Sequence, residues 1–177
     1  MLAGAGRFER PIGYGDRREV LVIRNAVRHD IRSLHSLILE LARYERLEHE
    51  VLATEGELAE HLFGARPYAE ALVAEDGGVV VGFALFFHNY STFLGRPGLY
   101  LEDLFVLPEH RRKGHGLALL RELARIAVER RCGRLEWSVL NWNAPAIAFY
   151  RSLGAKPMDE WGIFRMTGEA ITALAHP

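Results

Sequence analysis

The segment Arg111–Leu120, RRKGHGLALL, places three cations and two glycines directly in front of an apolar helical pattern. Closely spaced glycines disfavour a helix, yet one apolar face continues from Gly116 to Arg130 at helical spacing, through Leu117, Leu120, Leu123, Ala124 and Ala127. The first N–H groups of a helix have no intrahelical partner, and glycine lets a ligand approach them closely. The segment therefore predicts a helix start that binds an anionic group such as phosphate.

Two familiar phosphate motifs do not fit this segment. A Walker loop requires G-x-x-x-x-G-K-[ST], and the dinucleotide fingerprint requires a third glycine where Leu119 stands. The remaining R-x-x-G-x-G pattern is also compatible with an ordinary turn beside a solvated basic edge. The neighbouring segments must decide between these readings.

Composition limits the classes of function. The chain has 177 residues and a net charge of -1, so it can bury a core and has no general attraction for nucleic acid or an anionic membrane. The single cysteine, Cys132, predicts a reducing, cytoplasmic location. No apolar run approaches the roughly 20 residues of a membrane span. Residues 1–18 lack a signal peptide's apolar stretch, and we expect them to be a flexible arm or a mis-called start, followed by one domain over residues 19–177.

The hydrophobic pattern predicts the element order β-α-α-β-β-β-α-β-α-β, an α/β domain with one mixed sheet. Strands are predicted at Val20–Arg24, Ala71–Glu75, Val79–Phe87, Leu99–Val106, Leu135–Leu140 and Ile163–Met166. Helices are predicted from Asp30, after a capping box at Thr54–Glu57, at Gly116–Arg130, and at Ala144–Ser152 with Asn143 as its N-cap and Gly154 at its end. Asp76-Gly77-Gly78 predicts a hairpin turn between the second and third strands.

A second motif follows one strand after the glycines. Asn143 to Ala155 reads NAPAIAFYRSLGA, and together with Arg111-x-x-Gly114-x-Gly116 it resembles the GCN5-related N-acetyltransferases (GNAT). The resemblance covers the chain from about Val20 to the last predicted strand. It implies a mixed, mostly antiparallel central sheet flanked by helices (α/β, or α+β in some schemes). It also implies acetyl-CoA as co-substrate, with its pyrophosphate at the glycine-opened helix.

Three segments narrow the resemblance to the diamine (spermidine/spermine-type) branch: Leu41–Glu45, Tyr100–Val106 and Trp142–Tyr150. Members of that branch acetylate primary amines of polyamines, diamines or thialysine-like amino acids, and they are typically homodimers. The implied partners are therefore a small-molecule amine and a second copy of the chain.

Acetyl transfer to an amine requires a base, because an alkylammonium has a pKa of about 10.4. Glu102 and Asp103 are adjacent on a predicted strand, and regular alternation would point them to opposite faces. The resemblance selects Glu102 as the base, acting through water, and Tyr150 as the acid that protonates the leaving thiolate. Without the resemblance, Glu102 fits an ion-paired strand end and Tyr150 a core tyrosine beside Phe149.

The remaining site assignments concern the cofactor and the amine. The resemblance assigns an oxyanion-binding backbone N–H to the strand. The residues expected to bind the cofactor are Leu104, Phe105, Val106, Arg111, Arg112, Lys113, Gly114, His115, Gly116, Leu117, Asn143 and Tyr150. We expect the His115 side chain to donate to phosphate or to face solvent. Candidates for holding the amine are Tyr44, Glu45, Glu102 and Glu160, with Glu48, Glu50 and Asp159 nearby in sequence.

One departure from the diamine enzymes bears on the acceptor. Those enzymes carry an acid in the loop that here reads HNYSTFLG, His88–Gly95, where no acid is present. A long polycation would lose one anchor, so a shorter amine or a zwitterionic amino acid becomes the better candidate. The eight histidines form no i,i+4 pair with a supporting acid, so no metal is expected.

Three other functions remain open at this point. The same chemistry could acetylate a protein N-terminus or a peptide lysine. A non-catalytic acyl-CoA sensor would need neither Glu102 nor Tyr150. A nucleotide-phosphate binder would use the basic segment around Arg111 and Gly114 for a different ligand.

Overall fold

A computed structural model describes residues 21–176. These residues belong to two compact units, one ending at Ser138 and one beginning at Val139. The expected arm at residues 1–18 lies outside the described residues, and the single domain over residues 19–177 stays a prediction.

Residues 21–138 of the first unit form five strands and three α-helices. In chain order they are β1 (Leu21–Asn25), α1 (Ile31–Glu45), α2 (Glu55–Phe63), β2 (Glu70–Asp76), β3 (Val79–Ser91), β4 (Arg96–Val106), α3 (His115–Glu129) and β5 (Leu135–Trp137). The strands form one sheet in the order β1-β2-β3-β4-β5. The first four are antiparallel to their neighbours and β5 runs parallel to β4, so the prediction of a mixed, mostly antiparallel sheet is confirmed.

Both faces of the sheet are covered. Val73, Phe83 and Phe105 lie opposite one another on β2, β3 and β4 and are buried in a cluster with residues of α1 and α2. Their strand neighbours Leu72 and Ala84 are also fully buried, although they point to the other face. Continuous apolar strands such as VVVGFALFF are typical of a sheet that is buried on both sides.

The start of α1 is fixed to the sheet by a buried carboxylate. Asp30 is 3% exposed and accepts hydrogen bonds from Arg24 Nη1 at 2.7 Å and Nη2 at 2.9 Å. It also accepts the backbone N–H of Val27 at 2.8 Å, and Arg24 Nε donates to Glu75 on β2 at 3.0 Å. The Arg24 guanidinium holds the pKa of Asp30 below its ordinary value. This arrangement connects β1, β2 and the entry to α1.

The predicted capping box at the start of α2 is confirmed. The Thr54 side chain accepts the backbone N–H of Glu57 at 3.2 Å, and the Glu57 carboxylate accepts the backbone N–H of Thr54 at 3.0 Å. The predicted hairpin at Gly77-Gly78 is also confirmed, with positive φ angles of 60° and 88° at the two glycines.

The second unit contains two helices, α4 (Ala144–Ser152) and α5 (Glu169–Ala175). The predicted N-cap is confirmed, because Asn143 Oδ1 accepts the backbone N–H of Ala146 at 3.3 Å. The predicted strand Ile163–Met166 is wrong. This segment has no strand partner among residues 21–176, and Ile163 and Phe164 are 78% and 98% exposed. Its apolar residues Ile163, Phe164 and Met166 are compatible with a strand, but pairing decides whether one forms.

None of the helices among residues 21–176 combines the length and apolar character that crossing a bilayer requires.

Candidate functional site

The glycine loop, residues 111–116, has a backbone that leaves the start of α3 open. Arg112 and Gly114 both adopt positive φ angles, 62° and 91°, and Gly114 precedes the helix without any side-chain cap. A Cβ placed on Gly114 or Gly116 would meet no atom within 4 Å. The space next to the first N–H groups of α3 is therefore open, and this geometry suits the binding of an anion.

The three cations of the loop have different surroundings. Arg111 is partly buried and its Nε donates to the Val106 carbonyl oxygen at 2.9 Å. Its guanidinium carbon lies 4.7 Å from the Tyr44 ring centre and 5.3 Å from that of Phe105. Arg112 and Lys113 are exposed. Arg111 is thus built into the fold, whereas the other two place positive charge at the surface of the loop.

His115 does not face solvent, so that expectation is wrong. Its side chain is 4% exposed and its Nε2 lies 3.2 Å from Asp76 Oδ2, while His110 Nδ1 lies 3.1 Å from the same oxygen. With Nε2 directed at a carboxylate, the ring is not available to phosphate, and the backbone N–H of His115 remains the candidate. Sequence spacing overlooked this cluster because Asp76 comes from β2, far from the histidines in sequence. Its three ligand atoms lie within 4.8 Å of one another.

Strand β4 has a paired half and an edge half. Its ladder with β5 covers only Leu99–Leu101, whereas its ladder with β3 continues to Val106. Leu104, Phe105 and Val106 therefore lie past the end of the β5 ladder. The glycine loop contacts this part of β4, because Arg111 Nε donates to the Val106 carbonyl oxygen. Backbone groups on such an edge are available to an extended ligand.

Glu102 occupies a β-bulge where the two halves of β4 meet. Leu101 pairs with Phe86 and Asp103 pairs with Leu85, so Glu102 is the extra residue between them. Leu101 and Asp103 consequently face opposite sides of the sheet although they are two residues apart. Regular alternation, which assigned Glu102 and Asp103 to opposite faces, does not hold here. The bulge exposes Glu102 and leaves Asp103 partly buried.

The charges of Glu102 and Glu45 act on Asp103 at this bulge, and the three carboxyl groups are together called the acidic cluster. Burial, and then the charges of Glu102 and Glu45, raise the pKa of Asp103 to about 7. Burial also raises the pKa of Glu45, which lies at the end of α1. Sequence reasoning missed Asp103 as a functional candidate. The sequence does show two adjacent acids interrupting an apolar strand, which could have indicated a site. It does not show the bulge that brings both side chains into that site.

Other acids proposed for the amine lie elsewhere. Glu48 and Glu50 form a short 3-10 turn after α1 and are exposed. The first half of the segment His88–Gly95, predicted as a loop, is the end of β3, which continues to Ser91, and the second half is the turn into β4. Asn89 Nδ2 donates there to Glu136 on β5 at 2.9 Å.

The second unit carries the remaining predicted residues. Asn143 caps α4, and Tyr150 is partly buried on the same helix with its ring centre 5.6 Å from that of Phe149. Glu160 lies in an exposed turn with Asp159.

The family relationship follows from comparison with known sequences. Residues 31–155 match the acetyltransferase (GNAT) family. The glycine loop, β4 and α4 all fall within the matched range. The chain belongs to the GNAT family of acetyltransferases.

Individual relatives refine this assignment. The chain is 39% identical to thialysine N-epsilon-acetyltransferase of Bos taurus, over 88% of this chain and 97% of that protein. It is 36% identical to L-ornithine N5-acetyltransferase of Arabidopsis thaliana, over 86% of each. Among solved structures, an integron cassette protein of V. cholerae aligns with a TM-score of 0.75 and 30% identity, over 89% of this chain and 98% of that one. The chain is similar to each of these three proteins over most of its length.

Proposed function

We propose that the protein transfers the acetyl group of acetyl-CoA to the terminal primary amine of a small diamine, polyamine or thialysine-like amino acid, with the amino acid as the favoured acceptor. The observation that carries the proposal is the position of the acidic cluster at the bulge of β4. Two of its members, Glu102 and Asp103, lie where the β5 ladder ends, on the strand that leads into the glycine loop. Relatives that act on thialysine and ornithine support the choice of acceptor.

The residues present fit acetyl-CoA. Its pyrophosphate matches the open helix start at Gly114 and Gly116, with Arg112 and Lys113 adding positive charge. The amide groups of its pantetheine arm match the edge of β4 at Leu104–Val106. When bound, the co-substrate supplies a thioester whose carbonyl carbon is the electrophile.

The acidic cluster supplies proton removal from the amine. Glu102, exposed at the bulge, accepts the ammonium proton through water, as the resemblance implies. Asp103 has a pKa of about 7, so at neutral pH it can take up a proton that Glu102 passes on. A carboxyl with an ordinary pKa would be almost fully ionised at that pH and a weaker acceptor.

Two further residues complete the reaction. A backbone N–H on β4 near Leu104–Val106 stabilises the negative charge that develops on the carbonyl oxygen. Tyr150 donates its phenolic proton to the departing thiolate of CoA. These roles are carried over from the family resemblance onto the matching residues of this chain.

The acceptor is held by its far end. Tyr44 and Glu45 end α1, and Glu45 belongs to the acidic cluster, so a second ammonium or an α-amino group can be bound there. Glu160 is a further candidate. The segment His88–Gly95 contributes no carboxylate, which disfavours long polycations and is compatible with a substrate that carries its own carboxylate.

A substrate panel tests the proposal. Purified protein is given acetyl-CoA with thialysine, ornithine, lysine, putrescine, spermidine, an N-terminal peptide or a lysine peptide, and CoA release is followed with a thiol reagent. We expect the highest kcat/KM with thialysine or ornithine, and lower values with spermidine. CoA release with none of these amines above hydrolysis would contradict the proposal, and a preference for peptides would redirect it.

We also propose that the protein is a cytoplasmic homodimer. The basis is its similarity to the diamine acetyltransferase branch and a single cysteine, Cys132, that has no internal partner. Sedimentation velocity at micromolar concentration should give twice the chain mass of 20.0 kDa; a monomer mass would contradict the proposed assembly.

A further inference from the structure

Asp76 ends β2 at the hairpin turn, yet its carboxylate is bonded to residues that frame the glycine loop. Its Oδ2 lies 3.1 Å from His110 Nδ1 and 3.2 Å from His115 Nε2. Lys113 Nζ lies 3.9 Å from the same oxygen. One buried oxygen therefore contacts side chains just before, within and near the end of the loop.

We propose that Asp76 is a positioning residue for the cofactor site: through His110 and His115 it holds the glycine loop in the shape that receives a pyrophosphate. This inference rests on the proposed function, because it takes that pyrophosphate to be part of acetyl-CoA. Asp76 itself contacts His110, Lys113 and His115.

The carboxylate acceptor indicates which nitrogen of each ring donates to it. An ionised carboxylate only accepts hydrogen bonds, so His110 donates from Nδ1 and His115 from Nε2. His115 Nδ1 is buried and has no hydrogen-bond partner among residues 21–176. A proton on Nδ1 would be a buried donor without an acceptor, which is costly, so Nε2 is the His115 nitrogen that donates to Asp76.

The charge of Asp76 is stabilised by the same groups. Burial alone would raise the pKa of this carboxyl, but the hydrogen bonds from His115 and His110 and the charge of Lys113 outweigh burial and hold it below its ordinary value. The carboxylate is thus ionised at neutral pH. Because Lys113 accompanies it, a negative group can stand behind an anion-binding loop without repelling the ligand strongly.

The loop needs such an anchor because its backbone is not self-supporting. Arg112 has a φ of 62°, a left-handed conformation that costs a non-glycine residue roughly 1 kcal/mol or more. α3 begins without a side-chain cap, so no local side-chain hydrogen bond to the backbone sets the position of its first turn. Arg111 secures one side of the loop to β4, and Asp76 secures the other side to the β2–β3 hairpin.

The test compares two acetyl donors. Acetyl-CoA carries the pyrophosphate, whereas S-acetylpantetheine has the same thioester and arm without it. We expect Asp76→Asn to lower kcat/KM for acetyl-CoA about tenfold, mainly through KM, and to leave kcat/KM for S-acetylpantetheine within about twofold of wild type. Calorimetry should show a matching loss of CoA affinity.

Asp30→Asn is the matched control. Asp30 is a comparably buried carboxylate that anchors another part of the same sheet, distant in sequence from the glycine loop. Asp30→Asn should lower the melting temperature while leaving the ratio of kcat/KM for acetyl-CoA to kcat/KM for S-acetylpantetheine unchanged. If Asp76→Asn does not fold, His110→Phe keeps a ring, removes one of the two donors, and should raise the acetyl-CoA KM about threefold.

The outcomes separate the inference from the proposed function. If wild type acetylates an amine and Asp76→Asn affects both donors equally, Asp76 is a general stability residue and the inference is overturned. If wild type uses neither donor, the proposed function itself fails. One equivalent of Zn²⁺ retained by purified wild type and lost in Asp76→Asn would replace the hydrogen-bonded anchor with a metal site.

Discussion

The guanidinium carbon of Arg111 lies 4.7 Å from the centre of the Tyr44 ring. The same side chain donates from Nε to the Val106 carbonyl oxygen at 2.9 Å. Within the first unit, the end of α1, the end of β4 and the glycine loop are therefore joined through one residue. Residues proposed for the amine and for the cofactor share this contact.

Arg111→Lys should therefore weaken cofactor binding although it keeps the charge. Lysine has no planar group to stack on Tyr44 and no Nε donor in the same position. We expect KM for acetyl-CoA to rise about fivefold, with kcat changed less than KM. Arg112→Lys is the control, because Arg112 is exposed and this substitution likewise keeps the positive charge. Equal effects of both variants would mean that only charge matters at this loop.

Gly116→Ala tests whether open space at the start of α3 is used by a ligand. A Cβ at this position meets no atom within 4 Å and requires no unusual φ, so stability should be unchanged or higher by up to about 1 kcal/mol. KM for acetyl-CoA should nevertheless rise about tenfold, because the methyl group occupies the approach to the helix N–H groups.

Gly56→Ala provides the comparison for that variant, since Gly56 also lies in the first turn of a helix with no close neighbour. It should match the stability change of Gly116→Ala and leave KM alone. An unchanged acetyl-CoA KM in Gly116→Ala would argue against phosphate binding at this helix start.

Asp103 makes the protein's stability depend on pH with a defined sign. Its pKa is raised from 3.8 to about 7 in the folded state, so between these values the folded protein holds a proton that the unfolded chain has released. Stability from this residue therefore falls as pH rises through that window. Relative to wild type, Asp103→Asn should therefore be more stable at pH 8 than it is at pH 4.5. The free energy of unfolding in urea, measured for both proteins at each pH, checks this.

Asp159→Asn serves as the reference for this experiment, because it removes an exposed acid from the second unit. The same pH-dependent difference in both variants would show that net charge, and not the buried position of Asp103, is responsible.

Tyr150→Phe separates a catalyst from an acyl-CoA sensor. Phenylalanine keeps the ring beside Phe149 and removes only the proton donor. We expect kcat to fall about 100-fold, in the range typical for loss of a general acid, with CoA affinity within about threefold of wild type. Tyr68→Phe, on an exposed tyrosine, should leave both unchanged. Full turnover by Tyr150→Phe would assign the acid to another group.

Sequence reasoning succeeded where local chemistry decides the structure. The Thr54–Glu57 box, the Asn143 cap and the Gly77-Gly78 hairpin each depend on a few neighbouring residues, and each is present. The glycine-opened start of α3 belongs to the same class.

It failed where distant residues decide. The bulge at Glu102 depends on the register between β3 and β4, and the interior position of His115 depends on Asp76, 39 residues earlier. The segment Ile163–Met166 has strand composition but acquires no partner among residues 21–176. Periodicity reports which residues can be buried, not which element they meet.

The strand order has a kinetic consequence. β2, β3 and β4 are joined by two short hairpins, whereas β1 and β5 reach the sheet only across helices. Closing short loops costs less chain entropy than closing long ones, so the three-strand meander should form first and β1 and β5 should be added later. A refolding intermediate should then protect the amides of β3 from hydrogen exchange before those of β5. The edge of β4 proposed to receive the cofactor would be among the first parts of the sheet to exist.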